Sequence, residues 1–479
     1  MTDEVRTTPV QRWVLALSGL ASFMVILDAL VVATALSSIR KDLGASLAEL
    51  EWTVNAYTLS FAVLLMTGAV LGDRFGRRRM FAVGLGLFGL ASAACALAPD
   101  VVTLIAARAV QGAGAAVVMP LALTLLNGAF PPHRRGWATG IYGSVTGLAA
   151  MLGPVIGGLV TEGLSWPWIF WLNVPIAAVA VPLVLARIPE SKGPGGRLDL
   201  LGMVLAGIGA LGLTWGLVRA NSVGWMSAET VVAFVVGVVA TAGFVGWALR
   251  ARAPMLPLRL FRSRAFSAGN AVIFCVNAAM MGAIFFTAQL PQVTSGDGPL
   301  MAGVKLLPWG VAPFLIAPRA GALAGRIGER PLILVGAALL TVGSALLAVV
   351  STLHRSYAVT VIPMVIAGVG FSLAIPAVTK AVVSAVAMED MGRASGTFST
   401  LRQLGGAFGV AIPAAVFAAT GGYAGPSDFI DGYRPAIAVT AALALAAFLA
   451  GLPLPRRARS GQVQAGPVAQ ETGSGAATK

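Results

Sequence analysis

Fourteen apolar runs occupy most of the chain, and their length is the feature that most limits the fold. A bilayer core of about 30 Å requires about 20 apolar residues in one helix, and a helix in lipid satisfies its own backbone hydrogen bonds. The sequence therefore predicts an all-α integral membrane protein with fourteen transmembrane helices, over residues 13–37, 51–71, 80–98, 101–127, 137–160, 167–186, 198–218, 228–248, 265–290, 301–319, 331–351, 357–385, 394–420 and 434–454.

The composition excludes an ordinary soluble protein. Of the 479 residues 57% are hydrophobic and only 11% are charged, whereas a soluble chain carries about 25% charged residues. The net charge of +14 would favour nucleic-acid binding in a soluble domain. Here the basic residues cluster in loops between the runs, so we expect the lipid bilayer and no nucleic acid as a partner.

The distribution of basic residues predicts the orientation. With both termini in the cytoplasm, 24 of the 33 Lys and Arg residues lie on the inner side, five lie outside and four lie within runs. Inner loops of membrane proteins are enriched in Lys and Arg. We therefore expect a multi-pass protein with cytoplasmic termini, and the arginine-rich, glycine- and alanine-rich composition indicates a bacterial inner membrane.

Two short loops indicate an internal repeat. "GAVLGDRFGRRR" (68–79) and "AGALAGRIGERP" (320–331) align at an offset of 252 residues, which also places Trp13 on Ala265 at the start of helix 9. The predicted units are a cytoplasmic tail (1–12), an N-terminal six-helix bundle (13–186), an inserted helix pair with linkers (187–264), a C-terminal six-helix bundle (265–454) and a disordered tail (455–479). Parallel repeats of this kind place a substrate site between the halves.

The loop after helix 2 resembles the signature loop of the major facilitator superfamily of transporters. The residues that carry the resemblance are Gly68, Gly72, Asp73, Arg74, Gly76, Arg77 and Arg78. Gly72 and Gly76 permit a tight turn and close helix approach, and Asp73 can accept from a helix N-terminus or pair with an arginine. We expect Asp73 to latch two helix ends as part of a gate; the alternative is that the loop only supplies topogenic charge. The second copy has Gly325 in place of Asp73, which predicts a weaker latch there.

Further motifs resemble the 14-helix drug:proton antiporter branch (EmrB/QacA type) of that superfamily. They are "RAVQGAG" (108–114), "WPWIFWLNVP" (166–175), "GRASGTFSTLRQLGGAFG" (392–409) and "LDALVVATAL" (27–36), which departs by having Ala33 where Asn is usual. "GLAAMLGPVIGGLV" (147–160) resembles the antiporter motif. A proline bends a helix and small residues allow close packing, and this motif supplies both through Gly147, Gly153, Pro154, Gly157 and Gly158.

Asp28 is the one acidic residue that lies well inside a predicted run. An unpaired charge in lipid is costly, and intramembrane ionisable residues usually mark functional sites. Arg108 lies about 9 Å from the centre of its helix and Asp28 about 5 Å from the centre of its own, on the same side. We therefore expect a direct or water-mediated pair in which Gln111 takes part and Asp28 carries a coupling proton. The alternative for Arg108 is that it reaches the outer interface.

Several polar residues within runs are candidates for lining a substrate cavity. Arg402 lies near the middle of its run and should face the cavity or an interhelical partner. The whole set is Asn55, Tyr57, Gln111, Asn270, Asn277, Gln289, Arg402 and Gln403. For each amide, the alternative is a hydrogen bond between helices.

The resemblance implies a proton-driven efflux antiporter for a drug-like or natural-product amphipath, working by alternating access. The sequence carries no P-loop and its two histidines lie in separate loops, so we expect no cofactor other than the proton, no metal and no enzymatic activity. A monomer is expected. The alternatives are a proton symporter or facilitator for a small metabolite and a non-transporting membrane receptor with the same fold.

Overall fold

The computed structural model describes residues 7–193, 199–252, 254, 256, 258–311, 315–316, 323, 327–351, 357–386 and 391–455, and these residues contain helices and no strand. The α-helices, numbered in chain order, are α1 Pro9–Leu43, α2 Leu47–Phe75, α3 Arg77–Ala96, α4 Val101–Ala129, α5 Pro132–Gly163, α6 Trp168–Trp171, α7 Asn173–Arg187, α8 Leu200–Val223, α9 Ala228–Arg250, α10 Arg264–Thr287, α11 Leu290–Thr294, α12 Pro299–Lys305, α13 Glu329–Val350, α14 Tyr357–Ser384, α15 Met391–Thr420 and α16 Pro426–Gly451.

The predicted class, an all-helical membrane protein, is confirmed. Thirteen helical segments of the described chain are long and apolar enough to cross a membrane. The remaining predicted span, 301–319, begins in α12 and continues into residues outside the described part. The predicted tail 455–479 lies outside it as well, apart from residue 455.

Several helices extend beyond the apolar runs because polar caps fix their ends. In α1, Thr8 and Gln11 form a capping box, and Gly44 ends the helix at φ 64°, a conformation that glycine adopts readily. The sequence predicts that the last span begins at Arg434, but α16 already begins at Pro426, and Arg434 Nε donates to Ala348 O at 3.2 Å. The hydropathy pattern misses such polar first turns.

The internal repeat is visible in backbone conformation. Gly76 has φ 109° and precedes α3, and Gly328, 252 residues later, has φ 91° and precedes α13. Both values lie in the region that favours glycine. Gly84 of α3 packs against α4, and its counterpart Gly336 of α13 packs against α14. The two loops therefore share a turn as well as a sequence pattern.

The contacts between helices divide the described chain into an N-terminal and a C-terminal part. In the N-terminal part α2 and α3 pack on α4, and α1 packs on α5; in the C-terminal part α10 packs on α15 and α16, and α13 on α14. The two parts meet where α2 contacts α15 and where α5 contacts α12. Helix α8 lies against both α2 and α15, and the ring centroids of Trp215 and Trp52 are 5.5 Å apart.

Candidate functional site

A cluster of polar side chains is sealed inside the N-terminal helices. Asp28 and Arg108 are each 1% exposed and Gln111 is fully buried. Arg108 lies two turns into α4, whose start is fixed by Asp100. The pKa of Asp100, in the loop before α4, is lowered because its carboxylate accepts hydrogen bonds from the backbone and hydroxyl of Thr103.

Three donors converge on the Asp28 carboxylate. Oδ2 accepts from Arg108 Nη1 at 2.5 Å, and Oδ1 accepts from Gln111 Nε2 and from Asn173 Nδ2, both at 2.8 Å. The pair is therefore direct, and Gln111 shares it as the sequence predicts. Arg108 does not extend to the outer interface, so that alternative is excluded for this conformation.

Arg108 keeps further partners of its own. Its Nε donates to Thr53 O at 3.0 Å and its Nη1 also reaches Gln111 Oε1 at 2.6 Å. The guanidinium carbon lies 4.2 Å from the centre of the Tyr57 ring, within the range of a cation–π interaction. The guanidinium is thus held in place by α2 and α4, independently of Asp28.

Protonation of Asp28 would break part of this network. A carboxylate only accepts hydrogen bonds, whereas its protonated form gains one donor. A proton on Oδ2 would face the Arg108 donor, and a proton on Oδ1 would face two amide donors. A proton on Asp28 would therefore change the hydrogen bonds that join α1 to α4 and α7.

Sequence reasoning missed the role of Asn173. Asn173 is 1% exposed and is the first residue of α7, directly after the short helix α6. The available signal was its place in "WPWIFWLNVP", a polar residue at the start of an apolar run. Ser92 was also missed; its hydroxyl accepts from Gln111 Nε2 at 2.8 Å.

The described residues of the C-terminal part contain no copy of the Asp28–Arg108 pair. The 252-residue offset places Met280 opposite Asp28 and Thr360 opposite Arg108. The two segments that this offset aligns therefore differ at the positions of the buried charges.

The signature loop forms an ion pair across a tight turn. Arg77 Nη2 lies 2.8 Å from Asp73 Oδ1 and joins the start of α3 to the end of α2. A Cβ at Gly68 would collide with the α4 backbone, and one at Gly72 would collide with Leu121. Arg74 extends over the ring of Phe75 at 5.3 Å. The gating role of Asp73 stays a prediction, and Gly325 of the second loop lies outside the described residues.

Glu190 contacts the signature loop, and the sequence motifs do not predict this contact. Its Oε1 accepts from Arg78 N at 3.0 Å, and its Oε2 lies 3.6 Å from Arg78 Nε. Arg77 N donates to Ser191 O at 2.9 Å. The segment after α7 therefore covers the turn between α2 and α3, which a local motif cannot reveal.

The antiporter motif packs two faces of α5 against different partners. A Cβ at Gly153 would lie 3.0 Å from Leu30 Cβ, and one at Gly157 would lie 2.7 Å from Val31 O, both in α1. On the other face a Cβ at Gly158 would lie 2.6 Å from Leu300 Cα in α12. Pro154 lies within α5, and its carbonyl contacts Gly303 of α12. Gly147 has open space around it.

Gly158→Val is expected to open the contact between α5 and α12, because its added Cβ overlaps backbone and overpacking costs about 1–3 kcal/mol. A membrane-impermeant maleimide should label a Ser37→Cys reporter, beside this contact region, several-fold faster than in the parent. Gly147→Val is the matched control and should leave labelling unchanged. Equal labelling in both variants would refute the role of Gly158 in closing this end.

Most of the predicted cavity residues do not line an open cavity in this conformation. Asn55 and Tyr57 are fully buried, and Gln111 belongs to the Asp28 cluster. Asn270 donates to Phe266 O within its own helix, and Gln289 accepts from Tyr423. Their contact with a substrate stays a prediction.

Arg402 lies in a polar group that joins the two parts of the chain. It is half-buried and close enough to Tyr142 of α5 for an electrostatic interaction. The Tyr142 hydroxyl lies 2.7 Å from Ser22 Oγ of α1, and Asn277 Nδ2 donates to Arg402 O at 2.7 Å. Together with half-buried Gln403, these side chains are the described candidates for contacting a substrate between α1, α5 and α15.

A helical membrane protein with a charged pair buried among its helices has the features expected of a membrane transporter. The family model for the major facilitator superfamily matches residues 18–410, and the chain belongs to that superfamily. Among solved structures, the xylose transporter XylE from E. coli aligns with a TM-score of 0.63 at 14% identity, covering 92% of this chain and 98% of that one. A POT family transporter aligns with a TM-score of 0.70 at 14% identity, covering 91% and 94%; both show the fold.

Curated relatives are named for resistance and export. The multidrug resistance protein Stp of Mycobacterium tuberculosis is 35% identical, covering 85% of this chain and 76% of the relative. The tetracenomycin C resistance and export protein of Streptomyces glaucescens is 34% identical, covering 88% and 79%. The cephamycin export protein CmcT of Amycolatopsis lactamdurans is 35% identical, covering 98% of each chain.

Proposed function

We propose that this protein is a proton-coupled antiporter that exports amphipathic antibiotics or related natural products, and that Asp28 carries the coupling proton. The observation that carries the proposal is the sealed Asp28–Arg108 pair with its two amide donors. The names of the relatives support export as the direction and small natural products as the substrate class. A monomer in a bacterial inner membrane, with both termini cytoplasmic, completes the proposal.

The packing offers a route from the proton site to the contact between the two parts. Asp28 lies on α1, and the next turns of α1, at Leu30 and Val31, contact the glycine face of α5. The opposite face of α5 contacts α12. When protonation breaks a donor contact to Asp28, α1 is free to shift, and close-packed helices transmit such a shift. Proton binding and the opening between α5 and α12 are then linked.

Substrate and proton are coupled through the same linkage. A ligand shifts a two-state equilibrium only by its differential affinity for the two states, and coupling between sites is reciprocal. The polar group around Arg402 touches α1 through Tyr142 and Ser22, so a bound substrate acts on the helix that carries Asp28.

Inverted membrane vesicles from a host without its own pumps test the function. An imposed inside-acid gradient should drive uptake of one or more drugs from a panel of antibiotic classes, and a protonophore should abolish the uptake. Uptake that needs no gradient would indicate a facilitator. Drug movement in the same direction as the proton would indicate a symporter, and no movement of any panel member would support a non-transporting receptor.

A further inference from the structure

A polar cavity lies about three helical turns beyond Asp28, at the end of α1 that the sequence predicts to be extracellular. This seam pocket has a volume of about 380 Å³ and is lined by Ser37, Arg40 and Lys41 of α1, by Gln292 and Val293, and by Tyr423. The first three residues belong to the N-terminal part and the last three to the C-terminal part. The pocket therefore lies across the contact between the two parts, and its size is that of a small-molecule site.

The charge of the pocket is positive. Arg40 and Lys41 are two of the five basic residues that the topology places outside. No acidic side chain lines the pocket among the described residues. Glu51, which is 2% exposed, acts electrostatically on Tyr423 from α2 but is not part of the lining.

The donors of Arg40 and Lys41 are free to bind a ligand. The Arg40 guanidinium carbon lies 4.0 Å from the centre of the Tyr423 ring, a contact of the cation–π type that uses none of its N–H donors. Within the described part of the chain, neither side chain donates a hydrogen bond or forms an ion pair. Ser37 Oγ is buried without a partner.

The C-terminal residues close the pocket without using these donors. Gln292 Nε2 donates to Thr34 O and Ala288 O, and the Tyr423 hydroxyl donates to Gln289 at 2.6 Å. They therefore complete the wall of the pocket beside Arg40, which is half-buried, whereas Lys41 is exposed.

We propose that the seam pocket is an anion-binding site that takes a carboxylate or phosphate group, with Arg40 and Lys41 as its ligands. The group comes from a substrate carboxylate or from the phosphate of an anionic lipid headgroup. Because the C-terminal part covers the site, the anion binds more tightly when this end of the bundle is closed and so favours closure. The effect of the anion on closure rests on the proposed transport function; the binding of the anion does not.

The test uses the full-length protein in nanodiscs of phosphatidylcholine, with radiolabelled benzylpenicillin as a carboxylate probe and its methyl ester as the uncharged match. The expected result is that the ester and the double variant Arg40→Gln/Lys41→Gln each reduce binding about tenfold, as expected for losing a charge-assisted contact. Arg40→Lys should retain part of the binding. Arg219→Gln, which removes a basic side chain of α8 that pairs with Glu229 of α9, should bind like the wild type.

A second experiment distinguishes a substrate carboxylate from a lipid headgroup phosphate as the anion that occupies the pocket. If headgroups occupy the site, nanodiscs containing phosphatidylglycerol should lower probe binding to the wild type, and that lipid should be enriched around the wild type relative to the double variant. Inorganic phosphate should compete with the probe in either case. Equal binding of probe and ester, a double variant that binds like the wild type, or no probe binding together with no lipid enrichment would overturn the proposal. Each result stands whether or not a proton gradient drives transport.

Discussion

The Asp28→Asn variant is expected to lose proton-driven efflux even after correction for the amount of protein in the membrane, which we expect to fall because Arg108 keeps its buried charge without its anionic partner. Asparagine keeps the size of the side chain and an oxygen that accepts from Gln111 and Asn173, but it cannot exchange a proton at neutral pH. Since coupling free energies between sites are about 1–3 kcal/mol, we expect efflux and drug resistance to fall at least about tenfold. Growth on a drug gradient and efflux from preloaded cells measure both.

Asp42→Asn is the control for the loss of a carboxylate on the same helix. Asp42 is exposed at the end of α1, and its substitution should leave efflux unchanged. If Asp28→Asn cells pump like the wild type under the same gradient, Asp28 does not carry the coupling proton.

The Arg108→Ala variant is expected to be the most destabilising change in the cluster. It leaves the Asp28 carboxylate buried without its cationic partner, and breaking a buried ion pair in this way costs about 3–5 kcal/mol. It also removes the donor to Thr53 O and the group that stacks on Tyr57. Low yield and a lower unfolding temperature in detergent, measured by fluorescence, are the expected observations.

The double variant Asp28→Asn/Arg108→Ala separates stability from transport. With no uncompensated charge left, it should recover most of the thermal stability that Arg108→Ala loses. It should still fail to pump, because the proton site is gone. An Arg108→Ala protein as stable as the wild type, or a double variant no more stable than Arg108→Ala, would contradict the role of Arg108 as the partner that neutralises Asp28.

The fold was largely predictable because hydrophobic length and loop charge are strong physical constraints. The offset between the two loops even anticipates the shared turn at Gly76 and Gly328. Helix ends were less predictable, since capping by Thr8 and Gly44 depends on backbone geometry. The predicted span 265–290 corresponds to α10, which ends at Thr287. A second short helix, α11, begins at Leu290, and apolar composition does not reveal the break near Gln289 between them.

The ion pair was predictable from depth, but the rest of the site was not. Asp28 and Arg108 lie at similar depths, and an arginine inside a membrane needs a partner. Hydropathy does not fix the rotation of a helix about its axis, so the meeting of Asn173 with Asp28 could not be derived from its position alone. The same limit applies to Glu190 and to the seam pocket, whose walls come from segments far apart in the chain.

Transport in reconstituted proteoliposomes tests the coupling role of Asp28 most directly. A substrate found with the drug panel is followed in two modes, accumulation driven by a pH gradient and exchange of labelled for unlabelled substrate without a gradient. The wild type should perform both, whereas Asp28→Asn should retain exchange and lose accumulation. Gradient-driven accumulation by Asp28→Asn at the wild-type level would contradict the assignment of Asp28 as the proton-coupling residue.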